Sequence, residues 1–233
     1  MVESLRQDYK ILNPSDIPVH TSVMPYPMFQ ANMSTEEKAV TDRLSYVSWL
    51  DYSGRKSDDF RRALYRGTLD DQPVVIKFCE KYCERAHRLL ADAGYAPKLH
   101  LCTTVVGGFV MVVMDYVAGE TVFRKFRRED EGAYSELELP SHVRDRIQAA
   151  IVILHGADLV FGDLRRPNVL LRSKDKGIQG MGATLVDFDW AGEVGQVHYP
   201  LLLNQSGDID WAPGVVAGGL IKKEHDNAML ALM

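Results

Sequence analysis

Phe161-Gly162-Asp163-Leu164-Arg165-Arg166-Pro167-Asn168-Val169-Leu170-Leu171, with Leu185-Val186-Asp187-Phe188-Asp189-Trp190 downstream, is the stretch on which the fold of this chain turns. An aspartate is followed five residues later by an asparagine that opens an aliphatic run, and a second aspartate closes another such run. The runs predict a hairpin, which brings Asp163, Asn168 and Asp187 to one edge of it. A phosphate-bound Mg²⁺ takes hard oxygen ligands in near-octahedral geometry, and one carboxylate with one amide oxygen supplies the protein's share. Asp187 and Asn168 fit those two roles. A second carboxylate must stand apart from the metal to orient an attacking hydroxyl and accept its proton, and Asp163 fits that one. Because a loose phosphoryl-transfer transition state needs positioning and charge neutralisation more than covalent help, three such side chains define the catalytic half of a site.

On these residues the chain resembles the protein-kinase superfamily, in particular its divergent, fungal-type protein-kinase-like members. Asp163 and Asn168 keep the spacing of the catalytic-loop pattern His-Arg-Asp-Leu-x-x-x-Asn, and Asp187-Phe188-Asp189 stands for Asp-Phe-Gly. Two departures are plain: Phe161 replaces the histidine, and Asp189 replaces the glycine. The resemblance implies an α+β, bilobal protein-kinase-like fold with a small antiparallel β-sheet N-lobe and a shortened, mainly helical C-lobe. It also implies ATP and Mg²⁺ as cofactors and phosphoryl transfer to a hydroxyl of a protein serine or threonine. A small-molecule phosphotransferase acting on a small hydroxyl acceptor stays open as an alternative, as does a pseudokinase serving as a nucleotide-binding interaction module.

Further roles follow from the resemblance. Val74-Val75-Ile76-Lys77 matches Val-Ala-Ile-Lys, so Lys77 is expected at the α- and β-phosphates. Its counter-charge is expected from a helix glutamate, Glu84 in preference to Glu80. Arg165 stands where protein kinases carry a basic residue that touches the moving phosphoryl group. Met114 to Gly119 follows an apolar strand as an interlobe hinge does, which places the backbone of Asp115, Tyr116 and Val117 at adenine. Residues 1–43 are then an N-terminal arm and short helix, 44–119 the N-lobe and hinge, and 120–233 the C-lobe. No Gly-x-Gly-x-x-Gly precedes Lys77, and Gly54 is the one glycine placed to help a phosphate-covering turn. The stretch after Asp187 is short for a full kinase C-lobe, and Ala212-Pro213-Gly214 lacks the glutamate of Ala-Pro-Glu.

Composition sets the outer limits. At 233 residues and 46% hydrophobic content the chain can build one good-sized domain or two small lobes. A net charge of −5 gives no global electrostatic case for nucleic acid or an anionic membrane. No apolar run approaches the ~20 residues of a membrane span, and the N-terminus does not begin as a secretory signal. An intracellular, cytoplasmic location is expected, with the nucleus open. Three cysteines suit a reducing compartment better than a disulfide framework. Cys79, Cys83 and His87 recur every four residues, which on a helix is a packing stripe, with a zinc site as the alternative.

Along the chain, the prolines among residues 1 to about 33 predict an extended arm. Ser34-Thr35-Glu36-Glu37 has capping-box spacing, and Leu44 to Leu50 reads as a possible first strand. Ala63–Leu69, the turn Asp70 to Pro73 and Val74–Phe78 predict a hairpin; a helix over Tyr82–Ala93 and a second hairpin over Lys98–Met114 follow. Arg124 to Arg128 reads as a solvated helix face, with a docking patch for acidic substrate as the alternative. Val143, Ile147, Ile151 and Leu154 recur with helical period behind Pro140-Ser141, and a terminal helix is expected from Lys222.

Overall fold

The computed structural model describes residues 33–50, 63–130, 133–172, 182–207 and 209–233. The proline-rich arm, Gly54 and most of the glycine-rich turn at 174–182 lie outside the described residues. Helix α1 (Thr35–Thr41) starts at the predicted capping box: Ser34 Oγ accepts from Glu37 N at 3.2 Å, and Glu37 Oε2 accepts from Ser34 N at 2.6 Å. Strands β1 (Leu44–Trp49), β2 (Ala63–Leu69) and β3 (Gln72–Cys79) follow, then α2 (Glu84–Asp92), β4 (Leu99–Thr104) and β5 (Val110–Asp115). The five strands form one antiparallel sheet in the order β1-β2-β3-β5-β4.

The pleat decides what this sheet presents. With a side-chain period of two, Val74, Ile76 and Phe78 of β3 join Met111 and Val113 of β5 in a core on one face. Val75 and Cys79 pack with Val112 and Met114 on the other. Lys77 shares the face of Val75 and Cys79, so an alternation read directly from the sequence sends its ammonium into the space between the lobes. Both faces are covered, which is why these strands read as continuous apolar runs.

After β5 come β6 (Gly119–Thr121), the single-turn helix α3 (Val122–Lys125), and the hairpin β7 (Arg127–Asp130) and β8 (Ala133–Glu136). This corrects the reading of Arg124 to Arg128 as one helix face. The helix stops at Lys125, because Phe126 at φ −110°, ψ 43° leaves helical geometry and the chain runs on as a strand. Helix α4 (Ser141–Gly156) then buries Val143, Ile147, Ala150, Ile151 and Leu154 along one stripe. Each large aliphatic chain so buried stabilises by roughly 1.5–3 kcal/mol. It leads to β9 (Leu159–Val160), which pairs with β12 (Gly192–Glu193). Between them β10 (Val169–Arg172) and β11 (Ala183–Leu185) make the expected hairpin, and β6 adds a third strand beside β10. Helix α5 (Lys223–Ala231) starts one residue after the expected point and packs Met229 and Leu230 into the core of α4.

Candidate active site

Lys77 leaves β3 with its Nζ 2.6 Å from Asp187 Oδ1 and 2.5 Å from Asp189 Oδ1. It is 8% exposed, and burial alone pulls an ammonium's pKa down. Asp187 and Asp189 outweigh that penalty and hold the pKa above its ordinary value, so Lys77 stays charged. Asp189 moves up as well: burial is the larger cause, the charge of Asp187 the next, and Lys77 only partly offsets them. One cation between two carboxylates leaves surplus negative charge, the condition a bound divalent cation relieves.

Glu84 is not among these partners. Its Oε1 lies 2.7 Å from Arg88 Nε, one turn along α2, and both side chains are nearly half exposed. The expected Lys77–Glu84 pair is therefore corrected to Lys77–Asp187–Asp189. A neighbour at i+4 on the same helix takes the glutamate without crossing the cleft.

Asp163 and Asn168 are tied together. Asn168 Nδ2 donates to Asp163 O at 2.9 Å and to Asp163 Oδ2 at 2.8 Å, and both residues are buried. With the amide nitrogen spent, Asn168 Oδ1 has no donor among the described residues. Pairing of Val169 with Leu185, and a bond from Val186 N to Asn168 O at 3.0 Å, set Asp187 immediately beyond Asn168 on the adjacent chain. An acceptor-only amide oxygen next to a carboxylate is a donor set of hard oxygens, and it fits Mg²⁺. Asp187 sits at φ +73°, the left-handed region, which costs a non-glycine residue about 1–2 kcal/mol. Its neighbours fix it there: the Val186 N–H is held by Asn168, and Phe188 is fully buried.

Arg165 clasps Asp163 with two nitrogens, Nε on Oδ1 and Nη2 on Oδ2, the latter at 2.7 Å. Its guanidinium lies 5.3 Å from the ring centre of Trp211 and 5.9 Å from that of Trp190. The arginine is thus held by aromatic faces on one side and by the carboxylate on the other.

Phe188 anchors the loop that carries the two aspartates. Phe161 meets it edge-on at 5.4 Å, and His87 of α2 stacks on it at 4.7 Å with 7° between the rings. His87 Nε2 faces the carbonyl of Pro97 at 2.8 Å, so it must donate, and Nδ1 accepts from the Tyr82 hydroxyl at 2.6 Å. Burial lowers the His87 pKa to about 4, so the ring stays neutral and packs as an aromatic. Phe161, which replaces a polar histidine, contributes hydrocarbon to this stack.

Two residues to which the sequence assigns no role support the loop that carries Asp163. Asp226 of α5 is 1% exposed; it accepts from Phe161 N and Gly162 N, each at 2.8 Å, and lies 3.0 Å from His155 Nε2. The signal was a carboxylate three and four residues before Met229 and Leu230, on the apolar stripe of its own helix. Gly162 has φ +82°, and a Cβ there would meet Ile221 Cδ1 at 2.9 Å and Trp190 O at 3.0 Å. Gly162→Ala is expected to cost ~2 kcal/mol or more, left-handed strain adding to the overpacking. The urea midpoint of the variant measures it, and an unchanged midpoint would contradict the steric account.

The hinge residues divide. Asp115 N donates to Lys98 O at 2.9 Å and Tyr116 N to Pro73 O at 3.0 Å, so neither amide is available to adenine. Val117 N has no such partner among the described residues. The Asp115 carboxylate bonds His100 Nε2 at 2.6 Å, and Tyr116 lies under Arg66 at 4.9 Å. The cysteine stripe is also revised. Cys79 belongs to β3 and Cys83 precedes the first turn of α2, so no single helix carries Cys79, Cys83 and His87. Burial pushes the thiols of Cys79, Cys83 and Cys102 up, the last to about 12, which keeps them protonated.

No family model matches the chain. It is 30% identical over 121 residues to myosin light chain kinase A of Dictyostelium discoideum, a match covering 45% of this chain and 39% of that protein. It also resembles the solved structure of the Cydia pomonella granulovirus kinase PK-1, with a TM-score of 0.57 and 16% identity. That match covers 83% of this chain and 67% of the viral one. Among the described residues no helix is long and apolar enough to cross a membrane. With a five-stranded antiparallel sheet set over a helical lobe and Lys77, Asp163, Asn168 and Asp187 on their facing elements, the chain has a protein-kinase-like fold.

Proposed function

We propose that this protein transfers the γ-phosphoryl group of ATP, with Mg²⁺, to the hydroxyl of a protein serine or threonine. The observation that carries the reading is the meeting of Lys77 with Asp187 across the lobes at 2.6 Å, beside an Asn168 amide locked onto Asp163. Bound Mg²⁺, held by Asp187 and Asn168, supplies neutralisation of phosphate charge. Among the described residues no three His, Cys, Asp or Glu side chains could hold a metal by themselves, so nucleotide oxygens are needed to complete the shell.

Within this reading Lys77 orients the α- and β-phosphates, and the Val117 N–H donates to adenine. Asp163 faces the acceptor hydroxyl. The hydroxyl oxygen bonds to the γ-phosphorus as the bond to the β–γ bridging oxygen breaks. ADP leaves, and the hydroxyl proton ends on Asp163. For that, Arg165 must free one oxygen of Asp163, and its guanidinium can turn from the tryptophan faces to the transferring group. A protein acceptor is favoured by Leu201 and Leu202, which are 83% and 96% exposed just beyond Tyr199. Tyr199 packs on Trp190 and Trp211, so this apolar surface adjoins the aromatic wall of the base. A peptide can cover it.

Two measurements test the reading. Thermal denaturation with ATP alone, Mg²⁺ alone and both should show a shift with both only, since a ligand at 100 times its Kd stabilises by about 2.7 kcal/mol. A shift that ignores Mg²⁺, or none, removes the metal-assisted site and favours an interaction module. Labelled ATP with generic protein substrates, against aminoglycosides, choline and sugars, identifies the acceptor. Label only on a small molecule would overturn the protein-substrate assignment.

A further inference from the structure

We propose that Asp189, rather than any glutamate of α2, is the residue that positions Lys77, so that lysine orientation and metal binding are both set by one loop. The proposal rests on the nucleotide-site reading above and names a positioning residue within it. A buried ammonium must be paired, because its desolvation is otherwise uncompensated. Lys77 has two oxygens within hydrogen-bond reach, Asp187 Oδ1 at 2.6 Å and Asp189 Oδ1 at 2.5 Å. Asp187 is also the carboxylate placed to ligate Mg²⁺. A carboxylate shared between a lysine and a divalent cation holds each less firmly, whereas Asp189 bonds the Lys77 ammonium and the Cys79 thiol. Phe188, fixed between Phe161 and His87, leaves its two flanking carboxylates on the same ammonium.

The helix contributes something else. Glu84 is occupied by Arg88 at the solvent edge. Helix α2 meets the loop through the His87–Phe188 stack and through Cys83 N, which donates to Phe188 O at 3.1 Å. Thus α2 braces the loop by packing, and no charge on it reaches Lys77. The aspartate in the place of a glycine then has a physical use: it supplies from inside the loop the counter-charge that the helix does not.

The test uses the full chain. Without nucleotide, the rate at which an active ester acylates Lys77, read by mass spectrometry, should rise several-fold in Asp189→Asn and stay unchanged in Glu84→Gln. Affinity for a fluorescent ATP analogue with Mg²⁺ should fall by on the order of 10-fold in Asp189→Asn, the low end of what loss of an orienting partner causes. Asp189→Glu, which keeps the charge, should recover part of both effects and shows that the asparagine variant is not merely misfolded. Equal labelling and equal affinity in wild type and Asp189→Asn, or exposure of Lys77 by Glu84→Gln, would overturn the proposal. So would a changed Mg²⁺ requirement in Asp189→Asn with Lys77 labelling unaltered, which would make Asp189 a metal ligand instead. If the wild type binds no nucleotide, the functional reading fails, while the labelling arm still decides which carboxylate holds Lys77.

Discussion

Asp163→Asn is expected to reduce phosphoryl transfer by on the order of 10²–10⁴-fold, the range for loss of a positioned general base. On the proposed reading the substitution removes the proton acceptor, and it leaves the size of the side chain unchanged. It does more than that here, because both oxygens of Asp163 are engaged. Arg165 donates to each of them and Asn168 Nδ2 donates to Oδ2 at 2.8 Å. An amide NH₂ in place of one oxygen faces a donor with a donor, so Arg165 loses one contact in either orientation, and Asn168 loses its own as well only if the nitrogen replaces Oδ2. If the amide turns its nitrogen to Arg165, the Asn168 contact survives and the metal-side oxygen keeps its direction. Nucleotide binding should then persist with turnover nearly gone, the pattern of an interaction made only in the transition state. The check is single-turnover transfer from labelled ATP, with thermal shift by ATP and Mg²⁺ measured in parallel. Turnover within twofold of wild type would take Asp163 out of the mechanism.

The parts of the site that the sequence made legible are those fixed by local geometry. Asp163 and Asn168 lie on one short loop, and Asn168 and Asp187 flank a hairpin whose strands announce themselves as aliphatic runs. Lys77 could be aimed because period-two alternation along β3 is a property of the strand itself. Glu84 failed for an equally physical reason. Its assignment needed the helix to turn one particular face to the cleft, and a partner at i+4 was available at no tertiary cost. Asp189 was visible as a substitution for glycine, yet its role depends on where Lys77 arrives from, more than a hundred residues earlier. The basic run from Arg124 carries no boundary signal, since nothing in Phe126 announces a helix end. Fold-level features, the strand order and the joining of β6 to β10, follow from packing between segments that share no pattern.

Asp226→Ala is expected to destabilise the protein by about 3–5 kcal/mol, the cost of leaving buried polar partners without their charge. The carboxylate takes both N–H groups of Phe161 and Gly162 and stands 3.0 Å from His155, beside the core that α4 and α5 share. Each backbone N–H left unsatisfied costs about 1–3 kcal/mol, and Asp226 is 1% exposed. The asparagine variant separates the contributions. Its oxygen can still accept from Gly162 N, while the NH₂ that replaces Oδ2 can no longer accept from Phe161 N. Asp226→Asn should therefore lose roughly half as much as the alanine variant, by urea denaturation of each. Hydrogen exchange distinguishes this anchoring from a general loss of stability. Phe161 and Gly162 immediately precede Asp163, so their amides should lose protection in Asp226→Asn while those of β3 and β5 keep theirs. If the alanine variant unfolds at the wild-type urea concentration, Asp226 is not what holds the loop. If it unfolds early but the two amides exchange no faster than the sheet, the helix is lost as a unit, and the catalytic loop is set by the Phe161–Phe188 packing instead.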